Sequence, residues 1–176
     1  MKVTIHYIRH AESDANVLQH QMVCGDIRHL FLRDPGLSKT GENTTKNLHQ
    51  ALPPVDIVLS SQLLRAIQTA LYSYPKRFIH TIPILNELGG GLDNIPYDID
   101  EQKNILKEDF HRVIFTDNDN ERNVFAYIKK YILPRFKNKD ALAIAIFTHS
   151  RFMKKHLQLT MEELPNNVMI TKEYKL

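Results

Sequence analysis

Apolar runs of strand length alternate with longer stretches of helical periodicity along this chain of 176 residues. The predicted strands are residues 3–8, 55–59, 81–85, 141–147 and 168–171, and the predicted helices are residues 11–22, 40–51, 62–72, 101–110, 121–136 and 151–159. Residues 141–147 are all apolar, as expected for a central strand that is buried on both faces. The alternation predicts an α/β three-layer sandwich, in which a mainly parallel sheet carries helices on both faces.

One segment interrupts this alternation. After residue 86, a run of three glycines is followed by many Asn, Asp and Pro residues, and the short helix 101–110 is the one regular element predicted there. The length of the chain suits one domain with a substantial core. We therefore expect a single domain over residues 1–176, in which residues 86–120 form a short variable lid segment.

Composition narrows the class of protein. The chain is 43% apolar and 24% charged, as in ordinary globular proteins, and its net charge of +3 fits an anionic substrate but is too small to indicate nucleic-acid binding. Cys24 is the one cysteine, which excludes an intrachain disulfide. The sequence has neither an apolar stretch of membrane-spanning length nor a signal-peptide pattern. We therefore expect a cytoplasmic protein without a nucleic-acid or membrane partner.

The candidate chemistry begins at Arg9 and His10, directly after the first predicted strand. Open α/β sheets bind their ligands at the carboxyl ends of the strands. Arg9 offers a planar fork of donors suited to phosphate. His10 can attack phosphorus through one ring nitrogen while the other nitrogen orients the ring. The pair therefore predicts phosphoryl chemistry on a histidine.

Arg65 supplies a second guanidinium. It falls in the first turns of the predicted helix 62–72, directly after the strand 55–59, and so at the same sheet edge as Arg9 and near the positive end of a helix. Two arginines close together repel each other unless an anion lies between them. The alternative is that Arg65 forms an ordinary salt bridge on the helix surface.

Two further candidates follow later strands. His149 comes directly after residues 141–147 and could stabilise the phosphoryl oxygens of a transition state, or it could simply cap the next helix. Glu87 follows the predicted strand 81–85 and could protonate a leaving oxygen and then activate water. Asp93 and Glu42 are its competitors for this role.

Together these segments resemble the histidine phosphatase superfamily of phosphoglycerate mutase-like proteins. The pattern of that family is Arg-His-Gly/Ala with a later Asn, then Leu-Ser-x-x-Gly, Ser-x-Leu-x-Arg-Ala-x-Gln-Thr-Ala, Leu-x-Glu, and a late Ser/Thr-His. The matching residues, in this order, are Arg9, His10, Ala11 and Asn16; Leu37, Ser38 and Gly41; residues 61–70; Leu85 and Glu87; and Thr148 and His149. The five segments follow the order of the family and cover most of the chain.

The resemblance implies a phosphoglycerate mutase-like fold and a role for each matched residue. His10 would be the nucleophile that becomes phosphohistidine. Glu87 would be the proton donor, and Asn16 would contact the phosphoryl group. The phosphate pocket would be formed by Arg9, Arg65 and His149. The resemblance also implies that the reaction needs no metal or other cofactor.

The chain departs from the family pattern at a few positions. Ser150 stands where the family often has Gly, so the loop after His149 can differ slightly in course. Ala11 replaces the commoner Gly, a change that the family tolerates. Asn43-Thr44-Thr45 stands in place of the usual Gln-Ala pair, which is expected to affect packing only.

Other phosphate-binding machinery does not match. Residues 36–41 have the glycine spacing of a P-loop, but Glu42 stands where that motif requires Lys. Cys24 lacks the Arg that a cysteine phosphatase carries six residues later, because Leu30 occupies that position. Cys24 is therefore expected to be a buried, inert thiol. Clustered Cys and His residues are also absent from the sequence, so no metal site is predicted.

The predicted activity is that of a two-step phosphomonoesterase whose substrate is a phosphorylated small molecule or a phosphoprotein. Specificity residues are expected in the loop after the first helix, where Arg28, His29 and Arg33 lie; the alternative there is a solvated basic loop.

Two other functions are compatible with the pattern. A phosphoglycerate-type phosphomutase would use the same pocket, but mutases of the family tend to carry longer insertions than residues 86–120. A non-catalytic module that binds phosphate or phosphoproteins would need the arginines without His10, Glu87 and His149.

Overall fold

The computed structural model describes residues 1–21, 28–116, 121, 123–160 and 164–176, except for the side chains of His29 and Leu30. Cys24 and the ends of the predicted helix 11–22 and of segment 86–120 lie outside these residues. The strands are β1 (Lys2–Arg9), β2 (Ile57–Ser60), β3 (Ile79–Thr81), β4 (Val113–Phe115), β5 (Ala141–Thr148) and β6 (Met169–Lys175). The α-helices are α1 (Asp14–Gln21), α2 (Lys39–Leu48), α3 (Leu64–Ser73), α4 (Ile99–Leu106), α5 (Val124–Tyr127) and α6 (Ser150–Leu157).

The strands form one six-stranded sheet in the order β4-β3-β2-β5-β1-β6. The first five strands of this order are parallel, and β6 pairs antiparallel with β1 at the edge. β5 pairs with β1 on one side and β2 on the other, which is the central position that its apolar sequence predicts. The mainly parallel α/β sheet is therefore confirmed.

Helices cover both faces of the sheet. Ile144 of β5 belongs to a core cluster that includes Val124 of α5 and Met153 of α6. The next residue, Ala145, belongs to a second cluster that includes Ile67 of α3. Because successive side chains of a strand point to opposite faces, one apolar strand supplies two cores. The result is the three-layer arrangement that the alternating pattern predicts.

The third predicted strand, residues 81–85, is wrong in its placement. The strand is Ile79–Thr81, and Pro83–Leu85 forms a 3₁₀ turn instead. Proline has no backbone N–H, so Pro83 cannot donate a hydrogen bond to a strand ladder. Ile79–Thr81 pairs with β2 and β4, and strand β3 therefore ends before the proline.

The segment 86–120 contains more regular structure than predicted. The expected helix 101–110 is split into α4 and a 3₁₀ helix, Lys107–Arg112. β4 follows directly and extends the parallel sheet beyond β3. Its run of three apolar residues is too short to be told from a loop by periodicity, and only the pairing with β3 defines it as a strand.

Two predicted helices also differ from the structure. α3 begins at Leu64 rather than Gln62, and its N-cap residue, Leu63, makes no side-chain capping bond. The predicted helix 121–136 consists of α5, a π-helical turn, Ile128–Ile132, and a 3₁₀ turn, Leu133–Phe136. Pro134 lies in the last turn, and its missing N–H explains why regular α-helix cannot continue there.

Within the ranges given above, no helix combines the length and the apolar character needed to cross a bilayer.

Candidate active site

The candidate site lies where β1, β5 and β2 end side by side. The backbone N–H of His10 donates to Thr148 O (3.0 Å), and that of Ser61 donates to Phe147 O (3.0 Å). These bonds continue the parallel ladders for one residue beyond the strands. They bring the first residues after three strands to one carboxyl edge, which is the edge that the sequence predicts for ligand binding.

His10 is held by one short hydrogen bond. Its Nδ1 lies 2.7 Å from the carbonyl oxygen of Ala11, and the residue is buried. A carbonyl oxygen only accepts, so Nδ1 must carry the proton. The neutral ring therefore keeps its lone pair on Nε2. The backbone N–H of Ala11 in turn donates to Thr69 Oγ1 (3.0 Å), which fixes the carbonyl that orients the ring.

The surroundings of His10 keep its ring neutral. Burial lowers the pKa of His10 well below its ordinary value of 6.5, and the positive charges of Arg65 and Arg9 lower it further. Both effects disfavour the imidazolium form. A neutral imidazole with a free lone pair is the form of histidine that can act as a nucleophile.

His149 lies against His10, with ring centroids 5.0 Å apart. Its Nε2 lies 2.7 Å from Ser61 Oγ, and its buried Nδ1 has no hydrogen-bond partner within the described ranges. Burial, followed by the charges of Arg65 and its neighbours, also lowers the pKa of His149 well below 6.5. His149 occupies the N-cap position of α6, but its side chain makes no capping bond. The helix-capping alternative for His149 is therefore excluded.

Arg65 is almost fully buried in the first turn of α3. Its Nη1 donates to Asp93 O (2.6 Å), and its Nη2 donates to Asn94 Oδ1 (2.8 Å). The alternative that Arg65 forms an ordinary salt bridge on the helix surface is therefore wrong. Arg9 donates through Nη1 to Leu164 O. Both guanidinium groups act electrostatically on His10, so the structure brings Arg9, Arg65, His10 and His149 together.

Asn16 lies next to this group in a small polar network. Its Oδ1 accepts from Ser13 Oγ (3.1 Å) and from Asn166 Nδ2 (3.1 Å). Asn166 Nδ2 also donates to His10 O (3.1 Å). Asn16 is therefore tied to the backbone of His10 through Asn166, a residue that no sequence motif singled out.

Glu87 lies at the start of α6 and caps it. Its Oε1 accepts from the backbone N–H groups of Phe152 (3.1 Å) and Leu88 (2.9 Å), and its Oε2 accepts from the N–H of Arg151 (3.3 Å). The side chain is only partly buried, and its charge acts on Arg65. Glu87 thus borders the site while both of its oxygens accept backbone hydrogen bonds.

The competing acids lie in different places. Glu42 lies on α2, where it forms salt bridges with Lys39 (3.4 Å) and Lys46 (3.7 Å), and no contact among the described residues joins it to His10 or His149. Asp93 accepts from Arg65 through its backbone carbonyl, and its charge also acts on that guanidinium. Of these two competitors, only Asp93 belongs to the site.

The basic loop residues differ in their contacts. Arg28 is exposed in a 3₁₀ helix, Arg28–Phe31, and the side chain of His29 lies outside the described part of the chain. Arg33 reaches the 86–120 segment: Nη2 donates to Pro96 O (3.3 Å), and the guanidinium carbon lies 4.9 Å from the centre of the Tyr97 ring. Arg33 therefore contacts the predicted lid rather than the histidines.

Two structural contributors were missed by the sequence analysis. Ser61 received no role of its own, although its hydroxyl bonds to His149. Asp34 received no role, yet its buried carboxylate accepts from the N–H groups of Leu64 (2.8 Å) and Tyr97 (2.9 Å). Burial raises the pKa of Asp34 to about 6. Ser61 is a fixed position of the matched motif, which was a usable signal, whereas nothing local marks Asp34.

Comparison with known families assigns this chain to a group of proteins. The model of the histidine phosphatase superfamily, branch 1, matches residues 5–169. The chain belongs to this superfamily. No curated protein sequence matches the chain. The match includes the carboxyl ends of β1, β2 and β5 and the loops that follow them, so the site described above lies within the matched residues.

Solved structures show that this member of the superfamily has a phosphoglycerate mutase-like fold. It is similar to a phosphoserine phosphatase from Entamoeba histolytica (21% identity, 96% of this chain and 89% of the other, TM-score 0.57). It is also similar to a phosphoglycerate mutase from Bacillus anthracis (16% identity, 99% of this chain and 88% of the other, TM-score 0.63). A further similar structure is a mycobacterial glucosyl-3-phosphoglycerate phosphatase (15% identity, 96% of this chain and 90% of the other, TM-score 0.61). At these identities the similarity is one of fold.

Proposed function

We propose that this protein is a metal-independent phosphomonoesterase that works through a phosphohistidine intermediate on His10. The observation that carries the proposal is the Nδ1 hydrogen bond of His10 to Ala11 O, because it leaves Nε2 as the one nitrogen with a lone pair. Burial beside two arginines keeps that nitrogen unprotonated.

In the first step, Nε2 of His10 attacks phosphorus in line, and the bond from phosphorus to the leaving oxygen breaks. Arg9 and Arg65 neutralise the charge that spreads over the phosphoryl oxygens. When Ser61 Oγ donates to Nε2 of His149, the proton of the neutral ring lies on Nδ1. The Nδ1–H group is then the donor that His149 offers to the phosphoryl oxygens. Glu87 protonates the leaving alcohol.

In the second step, water attacks the phosphohistidine. Glu87 accepts the proton of this water, the bond from phosphorus to Nε2 breaks, and inorganic phosphate leaves. Asn16 contacts the phosphoryl group from the side of α1 and helps to keep it in line. Splitting the displacement into two steps predicts ping-pong kinetics.

The first test is hydrolysis of p-nitrophenyl phosphate in the presence of EDTA. We expect the wild-type activity to survive chelation and the His10→Ala variant to lose it by at least about a thousandfold, because the nucleophile is absent. His20→Ala is the matched control, since His20 is an exposed histidine on α1. Near-normal activity of His10→Ala would refute the mechanism.

Two measurements separate the alternatives: product analysis with a phosphoglycerate as substrate, and trapping of a phosphoenzyme. A mutase converts a phosphoglycerate into its isomer without net release of phosphate, whereas the proposed enzyme releases phosphate. A binding module retains phosphate but never forms a phosphoenzyme. Rapid quench with a ³²P-labelled substrate should trap an acid-labile, base-stable phosphoryl group in the wild type and none in His10→Ala.

A further inference from the structure

The turn that leads into β6, residues 165–168, packs on the backbone of the first two residues of the site. Val168 O accepts a hydrogen bond from the backbone N–H of Arg9 (3.0 Å). The backbone N–H of Asn167 donates to His10 O (3.4 Å). The turn is therefore bonded to the phosphate-binding arginine and to the proposed nucleophile, although it comes from the opposite end of the chain.

Asn166, in the middle of this turn, bridges two residues of the site. Its Nδ2 donates to His10 O (3.1 Å) and to Asn16 Oδ1 (3.1 Å). The atom beside His10 O must be the amide nitrogen, because a carbonyl oxygen only accepts. Both hydrogens of this nitrogen are then used inside the protein. Asn166 therefore has no N–H left for a substrate, and any effect on the reaction must pass through the residues that it bonds.

Asn16 uses the oxygen of its amide within the protein and leaves the nitrogen free. Oδ1 accepts from the backbone N–H of Ser13 (3.2 Å) and from Ser13 Oγ (3.1 Å), in addition to Asn166. A backbone N–H only donates, so the atom that faces it is the oxygen. Nδ2 of Asn16 has no acceptor among the described residues, and it is not one of the buried polar atoms that lack a partner. It is therefore an accessible donor close to the backbone of His10.

The contacts of the Asn16 amide differ in what they fix. Ser13 lies three residues before Asn16, so its two bonds are local and settle only which atom of the amide is the oxygen. Asn166 ties the same oxygen to the carbonyl of His10. A donor stabilises a transferring phosphoryl group only when its position relative to the nucleophile is fixed. Asn166 is the side chain that supplies this fixed relation.

We propose that Asn166 is a positioning residue that acts through Asn16. It holds the Asn16 amide on the backbone of His10, so that the free Nδ2 of Asn16 stays directed at the phosphoryl group during attack by His10. Asn166 itself contacts neither the phosphoryl group nor the leaving group. The inference rests on the phosphomonoesterase proposed above.

A double-mutant cycle with p-nitrophenyl phosphate tests the proposal. Asn166→Ala should lower kcat/KM by about tenfold in the wild-type background, because the Asn16 donor loses its alignment. In the Asn16→Ala background the same change should cost less than about twofold, because no donor remains to be positioned. An equal loss in the two backgrounds overturns the proposal, and so does an unchanged kcat/KM of Asn166→Ala.

Asn167→Gly is the matched control from the same turn. Asn167 has a φ of 60°, which glycine adopts without strain, and the variant keeps the backbone N–H that donates to His10 O. Its kcat/KM should stay within about twofold of the wild type. A tenfold loss in Asn167→Gly would show that any change in the turn lowers activity, and would overturn the specific role of Asn166.

Nuclear magnetic resonance of the ¹⁵N-labelled wild type decides the question if Asn166→Ala does not fold. The side-chain N–H signals of Asn166 should be protected from hydrogen exchange, because both hydrogens are bonded. Orthovanadate, an analogue of the phosphoryl group, should shift the side-chain N–H signals of Asn16. Unprotected Asn166 signals, or Asn16 signals that do not respond to orthovanadate, overturn the proposal.

Failure of this proposal is distinguishable from failure of the proposed function. Hydrolysis of p-nitrophenyl phosphate with equal losses in the two backgrounds removes the role of Asn166 and leaves the phosphatase. If nothing is hydrolysed, the proposed function fails, and the cycle is repeated with the calorimetric Kd of inorganic phosphate. Weaker binding in Asn166→Ala that disappears in the Asn16→Ala background then supports the positioning role. Equal weakening in both backgrounds, or no binding of phosphate, refutes it.

Discussion

At the scale of single residues, hydrogen bonds decide which atoms of the site can react. The Ala11 carbonyl assigns the proton of His10 to Nδ1, and Ser61 holds the Nε2 of His149. Glu87 is held differently, because both of its oxygens accept backbone N–H groups at the start of α6. The proposed proton donor is therefore also a helix cap, and its two tasks can be separated by experiment.

Glu87→Gln should slow hydrolysis in proportion to how poor the leaving group is. An alkyl alcohol needs a proton as it leaves, whereas p-nitrophenolate does not, so we expect a loss of kcat/KM of at least about a hundredfold for an alkyl phosphate and a smaller loss for p-nitrophenyl phosphate. Steady-state kinetics with both substrates measure the difference.

The other acids serve as comparisons for Glu87. Glu42→Gln should behave as the wild type with both substrates, because Glu42 lies in salt bridges on α2. If Asp93→Asn rather than Glu87→Gln gives the loss that depends on the leaving group, the proton donor is Asp93. Equal losses for the two substrates in Glu87→Gln would indicate a positioning role for this residue.

At the scale of elements, helix α2 rests directly on the loop that carries the site. Ser38 caps α2 by accepting from the N–H of Gly41 (3.0 Å), and its hydroxyl donates to Glu12 Oε1 (2.6 Å). The backbone N–H of Ser38 donates to Glu12 O (3.0 Å). The Leu-Ser-x-x-Gly motif thus docks a helix N-terminus on the chain two residues after His10.

Gly41 is required by this close approach. A Cβ atom added at Gly41 would lie 2.1 Å from the backbone oxygen of Glu12. Gly41→Ala should therefore lower the free energy of unfolding by about 1–3 kcal/mol through overpacking, even though Ala is the better helix former. Urea denaturation measures the change.

Gly90→Ala is the matched control for this prediction. A Cβ atom at Gly90 meets no heavy atom within 4 Å, so its free energy of unfolding should stay within about 0.5 kcal/mol of the wild type. An unchanged or increased stability of Gly41→Ala would mean that α2 can shift away from Glu12 without cost.

At the scale of the whole molecule, the fold buries several ionisable groups. His10 and His149 are both buried, and burial is the first cause of the lowered pKa of each. Asp34 is fully buried as well, and burial raises its pKa to about 6. These groups couple the stability of the protein to pH, with opposite signs for the histidines and the aspartate.

The free energy of unfolding should fall as the pH decreases from 7.5 to 5.5. The unfolded chain binds protons on His10 and His149 near pH 6.5, and the folded chain does not, so each histidine contributes a loss of up to about 1.4 kcal/mol per pH unit below that value. Asp34 opposes this loss, because the folded chain takes up its proton near pH 6 and the unfolded chain only near 4. Two histidines outweigh one aspartate in this window.

Urea denaturation at pH 7.5, 6.5 and 5.5 measures this slope. His149→Gln should make it shallower by the contribution of one histidine, since Gln does not titrate. A slope that is the same in His149→Gln as in the wild type would show that His149 takes up its proton at the same pH in the folded and unfolded chains. That result would contradict the lowered pKa of His149.

Much of the architecture could be predicted from local sequence, because periodicity reports burial. The apolar run at residues 141–147 predicts a central strand, and β5 occupies that place. The misplaced third strand has a different origin. Ile79–Thr81 and Val113–Phe115 become strands because they pair with each other in the sheet, and such pairing is set by distant residues.

The sequence by itself determined the family, the order of the elements and the chemical groups at the carboxyl edge, because motifs and periodicity are local properties of a chain. Only the tertiary structure decided which atoms of those groups are available. The pairing of Ser61 with His149 and the joining of Leu64 and Tyr97 by Asp34 each depend on residues far apart in the chain. Hydrogen bonds and burial act over distances in space, and the fold alone sets those distances.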